Sequence, residues 1–352
     1  MTERLKSVDF VRGLAIVFMI QTHIWEYYIA VPNELGSCLH HGLVEPLGGY
    51  AAPLFTLVSG LSTYFAIQSH GTPMPWDLAP KLLKRGGTLF LLSTAVNVVA
   101  GPVLKVIDIS ILNWSVIQLV GFCICLVPVY ARLRWSFRLL WTAIPLILSE
   151  WLYSTDGSFS VFFVGFSPPI PWSFLFFTGM LVGKCYAFVL QTGFSSKTTS
   201  VALAGVLLIW LAGHGLNIAY QPLTWNHTAH ANITSMIVFA GCFVPLVGAL
   251  GYLLDYRRFK HRLVDITVGW GQHSLTIYYL QLIGIVAGAA LITSTLGYPL
   301  VLEWVWFLPL LTLVLFVFHI IINVIWPKCD YALSLEWFFA RYVNGKRRTE
   351  ST

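Results

Sequence analysis

At 352 residues the chain is 57% hydrophobic and only 10% charged, with a mean hydropathy of +0.74, more apolar surface than a soluble domain of this length can hide. The composition therefore excludes a water-soluble enzyme and predicts an all-α, polytopic integral membrane protein. A net charge of +6 would suit nucleic acid, but no basic-aromatic motif accompanies it, and the cations read instead as markers of membrane topology.

Apolar segments of the length that crosses a hydrocarbon core, about 20 residues, recur with little sequence between them. About ten such spans are predicted, at 10–30, 46–68, 87–106, 114–131, 138–153, 171–190, 200–219, 233–254, 272–292 and 301–326. They are expected to surround a central polar cavity, and the broken stretch 156–170 to re-enter the bilayer in part. With the N-terminus inside, the inner loops collect Lys81, Lys84, Arg85, Arg132, Arg134, Arg138, Lys197 and the block Arg257 to Arg262, and the outer loops only Lys105. That bias predicts cytoplasmic N- and C-termini. Arg4 and Lys6 before an apolar run resemble a signal peptide, but removing the first span would invert the bias of every later loop.

The first span opens Arg4-Leu-Lys-Ser-Val-Asp9-Phe-Val-Arg12-Gly13 and runs through an apolar stretch to His23, Glu26 and Tyr27. Ionisable groups at bilayer depth are costly, so Asp9, Arg12, His23 and Glu26 are candidate site residues. Arg12 and His23 are eleven residues apart, which is about three helical turns, so both fall on one face roughly 16 Å apart along the axis. The loop that follows brings Cys38, His40 and His41, and the second span carries Ser59-Gly60, small residues that permit close helix packing.

Lys84 and Arg85 start the third span at the membrane surface where Arg12 starts the first, and as a group these cations can hold phosphates. Gln118 adds a sparse polar group in the fourth span, and Trp172, after a proline run, reads as an interfacial anchor. Six cysteines give neither a disulfide framework nor a metal-ligand spacing; His227 and His230 lack a third ligand, and no metal is expected. Further on, His273, Ser274 and Gln281 lie on an otherwise apolar helix and are candidates to face the cavity. Residues 1–326 read as one membrane domain, and 327–352 as a cytoplasmic amphipathic and basic tail lying on the inner leaflet.

The opening Arg4 to Gly13, with Pro53-Leu-Phe, Ser59-Gly60, Pro171-Trp172 and Ser274-Leu-Thr-Ile-Tyr278-Tyr279, resembles the transmembrane acyltransferase superfamily. In particular it is similar to the heparan-alpha-glucosaminide N-acetyltransferase-like membrane domain, and the spacing of Arg12 and His23 resembles the signature of the acyltransferase-3 family. The resemblance implies transfer of an acyl group, expected to be acetyl, from cytoplasmic acyl-CoA to an amine or hydroxyl of a sugar or glycan-type acceptor. In acyltransferase-3 relatives the histidine matching His23 is catalytic; in heparan-type relatives the role falls to a loop histidine, nearest here to His40 or His41.

On chemical grounds His23 suits the base, because an imidazole kept from water stays neutral, and Glu26 would orient it. Arg12 with Asp9, Lys84, Arg85 and Gln118 would hold the donor, and His273, Ser274 and Gln281 would line the cavity. The alternative is a secondary transporter or lipid-linked exporter with an intramembrane relay of Arg12, His23, Glu26 and His273. The bilayer and the two substrates are the expected partners, and homo-oligomerisation is left open.

Overall fold

The computed structural model describes residues 4–30, 34–40, 44–71, 74–104, 114–153, 167–192 and 233–343. The protein is mostly helical. Along the first half run α1 (Lys6–Tyr28), a two-residue strand β1 (Ile29–Ala30), α2 (Glu34–Leu39), α3 (Glu45–Gln68), α4 (Leu78–Leu104), α5 (Val116–Tyr130), α6 (Trp135–Tyr153) and α7 (Pro169–Thr192). The second half has α8 (Ile233–Gly251), α9 (Arg262–Gln272), α10 (Ser274–Gln281), α11 (Gly288–Leu296), β2 (Leu302–Glu303), α12 (Phe307–His319) and a short α13 (Leu335–Phe338).

Among the described residues, six helical segments are long and apolar enough to cross a membrane: Lys6–Tyr28, Leu47–Gln68, Pro169–Leu190, Phe239–Tyr256, Ser274–Leu296 and Trp304–Cys329. Val116–Tyr130 and Trp135–Ser149 are shorter apolar helices. The span expected at 200–219, the re-entrant stretch 156–166 and the loop carrying His227 and His230 lie outside the described residues. The span expected at 272–292 corresponds to the apolar segment Ser274–Leu296. It begins just after His273, which leaves the helical region between α9 and α10, and it continues from α10 to α11 through a π-helical turn, Leu282–Ala287.

The chain divides into two compact units. In the first (residues 1–8, 53–95 and 111–260), α7 packs against α5, α6 and α8. The expected close packing at Ser59-Gly60 is found here: a Cβ on Gly60 would run into the carbonyl oxygen of Phe176, and one on Gly179 into that of Leu57. The two glycines thus let the backbones of α3 and α7 touch. Trp172, expected at an interface, is instead only 1% exposed, because the start of α7 is packed inside this unit.

A largely buried polar corner also belongs to the first unit. Asp255 accepts hydrogen bonds from Ser7 N (3.2 Å), Ser7 Oγ (2.5 Å) and Tyr186 Oη (2.6 Å). A Cβ on Gly251 would collide with the Tyr186 ring, so glycine at that position is what admits the phenol. The carboxylate sits at the N-terminus of α1, where it meets the positive end of the helix dipole.

The second unit comprises residues 9–52, 96–110 and 261–352. It contains α1 from Asp9 onward and α9 to α13, and a two-residue parallel ladder pairs Ile29 with Leu302 and Ala30 with Glu303. Its last part, read from the sequence as a tail on the inner leaflet, is tied to α10. Glu336 accepts from Leu275 N (2.7 Å), Thr276 N (3.2 Å) and the Thr276 hydroxyl, so the carboxylate caps the first turn of α10. In return Leu335 N donates to Thr276 Oγ1 at 2.8 Å, and Ser334 Oγ caps α13 by accepting from Trp337 N. The basic run 346–348 lies outside the described residues.

Candidate active site

In the second unit α9 crosses the start of α1 backbone to backbone. A Cβ on Gly271 would run into the carbonyl oxygen of Asp9, and one on Gly13 into that of Thr267, so these glycines set how closely the two helices meet. Arg12 is fixed at this crossing. Its Nη1 donates to Asp9 Oδ1 at 2.9 Å and to Gly271 O at 3.1 Å, and Asp9 is only 2% exposed. The guanidinium is thereby held in place, and its planar fork of donors suits an anion.

After the break at His273, α10 climbs alongside α1, and at the far end Tyr28 Oη donates to Ile285 O at 2.9 Å. Between these two ties, His23 lies eleven residues beyond Arg12 and Gln281 ten beyond Gly271. At the helical rise His23 stands roughly 16 Å along α1 from Arg12, and Gln281 closes α10, which starts only after the break at His273. Both carry polar atoms the protein leaves unused. His23 Nδ1 is buried without a hydrogen-bond partner, and so are both Nε2 and Oε1 of Gln281, a residue 0% exposed. A buried unpaired polar atom costs about 1–3 kcal/mol, so three such atoms on α1 and α10 mark these helices as built to meet a polar ligand.

The other predicted site residues fall as follows. Glu26 is exposed and does not sit on His23 Nδ1, which has no partner; three residues on, it is turned roughly 60° around α1 from His23. His40 stacks on Trp25 with ring centroids 5.3 Å apart, and Trp25 in turn meets Phe307 edge-on at 4.8 Å. His41 lies outside the described residues. Ser274 is buried at the start of α10. His273, expected to face a cavity, lies under the tail. Its ring stacks on Tyr331 at 3.9 Å, with Nδ1 4.0 Å from Glu336 Oε2. Burial there pushes the Tyr331 phenol above its ordinary pKa.

Lys84, Arg85 and Gln118 belong to the first unit. Lys84 and Arg85 are exposed on α4. Gln118 serves the fold. Its Oε1 accepts from Ser115 N at 3.0 Å, its backbone N–H donates to Ser115 Oγ at 3.2 Å, and its Nε2 donates to Thr94 Oγ1 at 2.9 Å. This is a capping box on α5, and both ends of the side chain are committed to helix contacts.

Sequence reasoning missed Glu336 as the cap of α10, since nothing in the tail shows which helix it reaches. It also missed a pocket in the first unit lined by Arg138 and Lys184, although both residues stand out as cations beside apolar helices.

Residues 4–222, more than half of the chain, match a family described as heparan-alpha-glucosaminide N-acetyltransferase, catalytic. No curated protein and no solved structure gives a significant match.

Proposed function

Because the chain belongs to the heparan-alpha-glucosaminide N-acetyltransferase family, and is thus a membrane acetyltransferase by membership, we propose that it moves an acetyl group from cytoplasmic acyl-CoA to an amine or hydroxyl of a sugar or glycan-type acceptor. The observation that carries this reading is the pair of buried, unpartnered groups on α1 and α10, His23 Nδ1 and the Gln281 amide, above an arginine already fixed in place.

The chemistry divides among them in a simple way. His23 takes the proton of the acceptor N–H or O–H as that atom attacks the thioester carbonyl. The carbonyl oxygen gains negative charge, and Gln281 Nε2, with no other partner to give up, donates a hydrogen bond to it. The carbon–sulfur bond then breaks, the thiolate takes the proton back from His23, and CoA leaves as the thiol. Arg12, braced by Asp9 and Gly271, pairs through its guanidinium with a phosphate of the donor. The rise from Arg12 to His23, roughly 16 Å, is of the order of an extended pantetheine arm.

Lys84 and Arg85 are the further cations proposed for the donor's phosphates, and Ser274 and His273 are proposed to support the cavity wall. His40 and His41 are the alternative bases. The proposal includes a multi-pass topology of ten spans around a polar cavity, with both termini cytoplasmic; the distribution of Lys and Arg supports it.

Acetyl-CoA consumption by purified protein against a panel of amino sugars and glycans tests the reading. Turnover with one acceptor class, lost in His23→Ala, is the expected result. Undiminished turnover in His23→Ala would move the base to His40 or His41. No turnover with any acceptor, together with proton-coupled substrate movement in vesicles, would replace the enzyme with a transporter.

A further inference from the structure

The first unit carries a pocket remote in sequence from Arg12 and His23. It lies where α3 and α5 end and α6 begins, against α7, as a small cleft partly open to its surroundings. Its wall carries Arg138, Lys184, Trp135, Tyr64 and Gln68 over an apolar floor that includes Met180, and no acidic residue lines it among the described residues. Two cations with no carboxylate among the lining residues make a site for an anion.

Both cations are held in place. Arg138 Nε donates to Leu133 O at 2.9 Å and its Nη2 to Ala131 O, so the guanidinium is braced by carbonyls of the turn between α5 and α6. Lys184 Nζ sits 4.3 Å from the centre of the Trp135 ring. Next to the lining residue Ala131, Arg132 stacks on Trp76 at 3.2 Å and donates from Nη1 to Pro128 O, while its Nη2 is buried without a hydrogen-bond partner. Arg132 does not itself line the pocket, whose charge rests on Arg138 and Lys184.

We propose that this pocket binds a phosphate ester carried on an amphiphile. The phosphate meets Arg138 and Lys184, and the attached organic group lies against Trp135, Tyr64 and the apolar floor. Two sources share that chemistry: the headgroup of an anionic phospholipid, and the nucleotide end of acyl-CoA. The second source rests on the acyl-transfer reading; the first does not.

The test uses the full chain in phosphatidylcholine nanodiscs, with labelled CoA measured by equilibrium dialysis and phosphatidic acid retention measured by native mass spectrometry. Lys184→Gln removes one charge from an exposed side chain and leaves the Arg138 brace untouched, and Lys184→Arg restores the charge. The expected result is a loss of about tenfold in affinity for one probe in Lys184→Gln, recovered in Lys184→Arg, with a larger loss in Arg138→Gln. An effect on phosphatidic acid alone identifies a lipid headgroup site; an effect on CoA alone identifies the nucleotide. Unchanged binding of both probes in folded Lys184→Gln overturns the proposal. If that same protein still transfers acetyl groups in a His23-dependent way, the acyl-transfer reading survives the loss of this one.

Discussion

The Asp255 corner of the first unit and the His23–Gln281 stretch of the second both take polar atoms out of water and treat them in opposite ways. Around Asp255 the charge is answered three times, by Ser7 N, Ser7 Oγ and Tyr186 Oη. Around His23 and Gln281 no described residue supplies a partner to Nδ1, Nε2 or Oε1. The same chain that satisfies Gln118 at both ends through Ser115 and Thr94 leaves Gln281 unsatisfied at both ends. The difference separates polar groups that hold the fold from polar groups held ready for something else.

Removing His23 is the most severe way to press this contrast. His23→Ala should lower acetyl transfer by about 10²- to 10⁴-fold while leaving the thermal midpoint in detergent unchanged or raised, because Nδ1 has no hydrogen bond to lose. Gln281→Leu should follow with a drop in kcat of about 10²-fold or somewhat more and, again, no loss of stability. A marked fall in its melting temperature would mean that Gln281 is structural and the contrast is false.

The opposite pattern is expected where partners are present. Asp255→Ala and Gln118→Leu should each destabilise by about 1–3 kcal/mol, since each strands donors or acceptors that now have partners. Urea or thermal unfolding would read this, and acetyl transfer per folded molecule should barely change. The smallest effect is expected from Glu336→Gln, about 1 kcal/mol, because the amide oxygen can still accept from Leu275 N and Thr276 N while the charge at the helix terminus is gone.

What is legible in the sequence follows the cost of each residue. Asp9, Arg12 and His23 on an apolar helix are expensive enough to announce themselves, and the eleven-residue spacing puts the last two on one face without knowledge of any contact. Glu26 reads as a neighbour of His23 from spacing, but a step of three residues turns a side chain around the helix, and here that turn leads to an exposed position.

Gln118 reads as a donor contact from its polarity, although Ser115-Val-Ile-Gln118 has the spacing of a capping box, a signal present in the sequence and easily passed over. His273 reads as facing a cavity because its neighbours Tyr331 and Glu336 are about sixty residues away, and only the fold brings them together. Gln281 stands out by its polarity alone. Its lack of partners is a property of the packed structure, which no spacing reveals.

The clamp of Glu336 on Leu275 and Thr276 makes the segment around Ser334 to Trp337 part of the machinery that positions Gln281, one helix of eight residues away. Shortening the chain after Cys329, or fusing a reporter that pulls Ser334 to Trp337 off α10, would loosen the first turn of the helix that carries that amide. Affinity tags for purification are therefore safer beyond Val343 with a flexible spacer than grafted onto a trimmed terminus.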